Sequence, residues 1–138
     1  MEIEWTKELE TGYPELDEQH KRLFEMIKRM TVYIEAPVID DAKVNELVGF
    51  LETYAREHFA CEERCMTKTN CPSRDLNVEA HRLFLEGIMR FKKDFADHDQ
   101  KREFVAILQA SMNGWLRNHI RHIDGALRGY PPSPAGAQ

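Results

Sequence analysis

The amino-acid sequence predicts an all-α protein, an up-down-up-down four-helix bundle with an N-terminal arm laid along it. Three observations carry that prediction. Four long stretches repeat apolar residues at the 3.6-residue period of an amphipathic helix. Only three short clusters rich in Pro, Asp and Asn, at residues 37–41, 69–73 and 96–100, interrupt them. Connections that short make consecutive helices antiparallel neighbours.

The first ~13 residues, with Trp5 and Tyr13, precede the first periodic stretch and form the arm. The first helix is expected to start at Glu15 or Asp17, where Pro14 and the acidic residues suit a helix N-terminus, and to end near Ile34. Leu16, Leu23, Phe24, Ile27, Met30 and Ile34 form its apolar stripe. The second runs from Asp41 to Thr67, striped by Val44, Leu47, Leu51, Tyr54, Cys61 and Cys65. The third begins between Ser73 and Asn77 and ends near Ala96, with Phe84, Leu85, Ile88, Phe91 and Phe95 facing inward. The fourth extends from Asp99 to Arg128 and carries Phe104, Ile107, Leu108, Met112, Trp115 and Ile123. Residues 1–130 then make one domain, and 131–138, rich in Pro, Gly and Ala, read as a disordered tail.

Composition narrows the function classes. The 138 residues are 42% hydrophobic and 31% charged, which fits one soluble domain burying about two-thirds of its surface. A formal charge of −5 argues against nucleic acid as a partner. No apolar run approaches the ~20 residues of a membrane span. The start, Met1 to Trp5, lacks the basic and apolar regions of a secretory signal, so a cytoplasmic location is expected. Cys61, Cys65 and Cys71 are an odd number and read as reduced thiols.

The informative residues are polar ones on apolar faces. His20 shares its face with Leu16, Phe24 and Ile27; His58 continues the stripe of the second helix, with Glu62 one turn later. His81 leads into Phe84 and Leu85, and His119 follows Met112 and Trp115. Each helix thus turns one histidine toward the shared core. Burying so many polar groups costs several kcal/mol unless each finds a partner, and a metal partners all of them at once. Imidazole with carboxylate suits iron, zinc, manganese or copper rather than calcium or magnesium. The candidate donors exceed the four that a structural zinc takes, and two bridged ions would use them. A ferritin-like di-iron bundle needs Glu-x-x-His, and no histidine here has Glu three residues before it. A zinc site built from Cys61, Cys65 and His58 is a rival that strands the other histidines. His98 is expected at the surface, and Glu63 in solvent.

The runs Asp17-Glu18-Gln19-His20-Lys21, Tyr54 to Phe59 with Glu62-Glu63 and Met66, His81, and Trp115-Leu116-Arg117-Asn118-His119-Ile120 to Asp124 resemble the hemerythrin family, in particular its bacterial single-domain members. Trp5 falls where the family's arm carries a tryptophan, and the resemblance spans all but the tail. It implies two iron ions with an oxo or hydroxo bridge. Glu62 and Asp124 would bridge them, His20 and His58 would bind one, and His81 and His119 the other. It implies reversible dioxygen binding for transport, storage, delivery or sensing, with Leu116 lining the gas pocket and an oxygen-accepting or redox protein as partner. The resemblance implies a binding protein rather than an enzyme. The alternative is peroxidase, oxidase or redox-sensing chemistry at the same site; metal storage is a third class.

Two positions depart from a simple match. Asn77 stands where the family has a further histidine, four residues before His81. It either offers an amide oxygen or caps the third helix, and a non-ligand there favours the enzymatic alternative by leaving the second iron open. Asp124 lies five residues after His119, about 140° around an ideal helix. A wider turn or bulge over residues 121–123 is expected to bring it in, and His122 would otherwise compete.

Overall fold

The computed structural model describes residues 2–132. Residues 133–138, most of the expected disordered tail, lie outside the described residues. Four α-helices account for most of the chain: α1 Pro14–Glu35, α2 Asp41–Lys68, α3 Arg74–Phe95 and α4 Lys101–His122. Around the bundle α1 packs on α2 and α4, and α3 packs on α2 and α4. Among the described residues no strand occurs, and no helix is long and apolar enough to cross a membrane.

Local chemistry sets the helix ends. Pro14 occupies the first turn of α1, where a missing N–H costs no helical bond. The Asp40 side chain caps α2 by accepting from the Lys43 amide at 3.2 Å. Ser73 precedes α3, so that helix begins a turn before Asn77. The expected fourth helix is too long. It stops at His122, Ile123 leaves helical geometry at φ −116° and ψ −60°, and Asp124–Gly129 continues as a 3₁₀ turn. Gly125 fits that corner: a Cβ there would stand 3.3 Å from the Ile120 carbonyl oxygen.

The core follows the expected stripes, with Leu16, Phe24, Ile27, Met30, Leu51, Ile88 and Phe95 all buried. Ile107 departs from its stripe and is 64% exposed. It edges an open apolar groove of about 570 Å³ between α3 and α4, lined also by Phe84, Ile88, Phe91, Phe104 and Trp115. Because α3 and α4 part there, a residue facing the seam meets solvent instead of a neighbour. His98 is half-buried rather than at the surface, its ring stacked 4.1 Å from that of Phe104.

The arm lies on the bundle through buried Ile3, Leu9 and Tyr13 and a 3₁₀ turn at Lys7–Leu9. The Asn113 amide donates to the Glu2 carbonyl at 3.0 Å, and Arg128 donates to the Glu8 and Glu10 carbonyls. The sharpest tie is Asp17, whose buried carboxylate accepts from both the Thr11 amide and hydroxyl at 2.9 Å. Replacing Asp17 with Ala leaves those donors unpaired. It is expected to lower stability by about 2–3 kcal/mol in denaturant unfolding. A loss under ~0.5 kcal/mol would mean the arm is not anchored there.

Candidate metal centre

Helix periodicity delivers the site. His58 and Glu62 are four residues apart on α2 and project together, while α1, α3 and α4 contribute His20, His81 and His119 at the same level of the bundle. Asp124 arrives from the 3₁₀ turn after α4. The distortion expected over residues 121–123 is therefore a helix end rather than a bulge. Ending the helix frees Ile123 to turn the chain back, which a widened turn inside a continuing helix would achieve only partly. His122 points to solvent and is no competitor.

Six side chains form two groups that share two carboxylates. His20, His58, Glu62 and Asp124 make one; Glu62, His81, His119 and Asp124 make the other. Within each group the donor atoms all lie within 4.8 Å of one another, and every member is buried. The division runs through the carboxylates themselves. Glu62 Oε2 is 3.0 Å from His20 Nε2 and from His58 Nε2, whereas Glu62 Oε1 is 3.0 Å from His81 Nε2. Asp124 Oδ2 is 3.3 Å from His20 Nε2, and Asp124 Oδ1 is 3.2 Å from His119 Nε2.

Whether a metal fits is answered by what the protein leaves unpaired. Asp124 is fully buried, yet the His20 and His119 nitrogens at 3.3 and 3.2 Å do not meet its oxygens in hydrogen-bond geometry. A buried carboxylate without a well-directed donor is costly, and a cation in each group would meet both oxygens. Nitrogen and carboxylate oxygen donors in this mixture suit first-row metals such as iron, manganese and zinc. The donor set fits.

Titration reflects the crowding. Burial pushes the His20 imidazole down, but Asp124 and Glu62 more than reverse this and raise it to about 9. His119 is likewise pushed down by burial and raised, chiefly by Asp124, to about 9. Burial pushes the Glu62 carboxyl up, and the surrounding imidazoles hold it well below the usual carboxylate range.

Neighbours orient the rings. His58 Nδ1 donates to Gln19 Oε1 at 2.6 Å and His81 Nδ1 to Glu63 Oε2 at 2.8 Å, which turns each Nε2 toward the group. Glu63 is thus not simply solvated. The only sequence signal for either partner was its place beside a site residue, Gln19 before His20 and Glu63 after Glu62. Phe59 stacks on His81 at 3.8 Å and Trp115 on His119 at 4.4 Å. Both aromatic rings also border a void of about 10 Å³ whose lining includes Leu116, Leu51 and Ala55. Asn77 does not cap α3; it is fully buried beside Glu62. The three cysteines are free, and burial, with Cys61 and Glu15 nearby, pushes the Cys65 thiol up to about 11, away from the thiolate a zinc site needs.

Comparison with known proteins agrees with this geometry. Residues 11–129 match the family model described as hemerythrin HHE cation binding domain. Similar proteins include the bacteriohemerythrin of Stenotrophomonas maltophilia, 28% identical over 123 residues covering 88% of this chain and 76% of that one. The bacteriohemerythrin of Pseudomonas aeruginosa is 31% identical over 121 residues, 87% of this chain and 75% of its own. The myohemerythrin of Theromyzon tessulatum is 27% identical over 126 residues, 91% of each.

Proposed function

The chain belongs to the hemerythrin family, and from that premise we propose that it binds dioxygen reversibly at a carboxylate-bridged, non-heme di-iron centre. His20 and His58 would hold one iron, His81 and His119 the other, and Glu62 and Asp124 would bridge them. The observation that carries this reading is the division of both carboxylates, each offering one oxygen to each histidine pair. Two irons there would supply the two electrons that dioxygen binding draws on.

The chain's own part is to hold and to exclude. Gln19 and Glu63 fix the faces of His58 and His81, so the donor nitrogens are aimed before any metal arrives. Leu116 and its apolar neighbours line the small void beside the site and keep bulk water from a bound gas. Peroxidase, oxidase or redox-sensing chemistry is the second reading, favoured by the missing histidine at Asn77. One domain over residues 1–130, a cytoplasmic setting and an oxygen-accepting or redox protein partner complete the proposal.

The test is an optical titration of the reduced, iron-loaded protein with dioxygen, followed by removal of the gas. A visible charge-transfer band should appear and then vanish with restoration of the reduced spectrum. Direct conversion to the oxidised form without that band would replace reversible binding with the second reading.

A further inference from the structure

Asn77 sits at the second histidine pair with its amide nitrogen turned inward. Nδ2 donates to Glu62 Oε1 at 3.0 Å and to Met66 Sδ at 3.3 Å, while the buried Oδ1 has no partner. His81, one turn further along α3, reaches the same Glu62 oxygen at 3.0 Å. Asn77 therefore occupies the place of a donor to this group but presents hydrogens, and an amide NH₂ has no lone pair to give a metal. Rotating the amide would set its oxygen against two acceptors, Glu62 Oε1 and Met66 Sδ, and take both bonds from the nitrogen.

We propose that Asn77 is not a ligand of the second metal position. It hydrogen-bonds the bridging carboxylate and leaves the second metal position with the same four protein donors as the first, open to a small exogenous ligand of its own. This rests on the di-iron reading above and holds whether bound dioxygen is released or consumed. The first position has two imidazoles and one oxygen from each carboxylate; without Asn77 the second has no more. The centre then takes two small ligands, one per iron, where a fifth donor at position 77 would restrict it to one. A surface hollow of about 380 Å³, bordered by Thr67, Asn70, Cys71 and Arg74, ends on Met66, the side chain that touches Asn77.

Nitric oxide serves as the probe, titrated anaerobically into the reduced protein after its iron content is measured. The expected result is two irons per chain, two equivalents of nitric oxide for the native chain and for Asn77→Ala, and one for Asn77→His. One equivalent for the native chain with two for Asn77→Ala would mean the amide oxygen is a ligand and would overturn the inference. One equivalent for both would overturn it as well, and neither result depends on the histidine variant folding. A chain that holds other than two irons overturns the di-iron reading and this inference with it, whereas two irons with one nitric oxide overturns this inference alone.

Discussion

Glu62→Ala is expected to empty both metal positions at once, dropping iron from two per chain to near zero. No other side chain touches so much of the centre. Its Oε2 meets His20 and His58 at 3.0 Å, and its Oε1 meets His81 and the Asn77 amide at the same distance. Alanine would remove one donor from each metal position and also the negative charge that would offset two cations sharing a buried space. Losing only a hydrogen-bonding partner of a ligand typically costs 10–100-fold in affinity, and losing a bridge should exceed that at both positions. Glu62→Gln keeps the volume but gives one metal position an NH₂ in place of an oxygen, so it should retain one iron at most. Metal analysis after loading and desalting, with circular dichroism to confirm helix content, decides the matter. Retention of two irons by a folded Glu62→Ala chain would remove Glu62 from the bridge and overturn this assignment of the donors.

The contrast among site residues shows what a one-dimensional pattern transmits. His20, His58, Glu62, His81 and His119 were legible because each continues an apolar helical stripe, and burial of such a residue follows from the same period that buries its neighbours. Asp124 was harder. A helix assumed continuous to Arg128 points it away from His119, and only the break at Ile123 turns it inward. Gly125 beside the Ile120 carbonyl was a weak sign of that corner. Asn77 misled because asparagine favours both a helix N-terminus and a buried hydrogen bond. The choice was made by Ser73 starting α3 earlier, and by Glu62 on another helix. Glu63 and Gln19 flank site residues on the rims of their helices, and their partners lie on α3 and α2, so their roles exist only in the assembled bundle. Ile107 failed in the opposite sense. It keeps the period of a core residue and is exposed because α3 and α4 part beside it.

Held free of metal, the chain is expected to lose stability as pH rises from about 6.5 toward 9, while its apparent affinity for metal rises over the same interval. In the fold His20 and His119 titrate at about 9, against 6.5 for an ordinary histidine. A raised folded value means the native state holds the proton more tightly, so the stabilisation is complete below about 6.5 and disappears as pH passes about 9. One such shift is worth about 3 kcal/mol. The two histidines share Glu62 and Asp124, so together they contribute less than twice that. Glu62 works in the other direction. Its lowered value gives stability that is present above the ordinary carboxylate range and is lost as pH falls through the depressed value. Metal-free stability should therefore peak below neutrality and decline on both sides. Metal competes for the nitrogens that carry those protons, so binding near pH 7 must expel them, and each proton released adds up to tenfold in apparent affinity per pH unit. Urea unfolding of the metal-free chain across pH 6–10, beside zinc(II) titrations in buffers of differing ionisation enthalpy, reads both effects. Flat stability with no proton release would mean that His20 and His119 stand neutral in the metal-free fold. The imidazolium–carboxylate pairing would then have no part in holding the six side chains together before metal arrives.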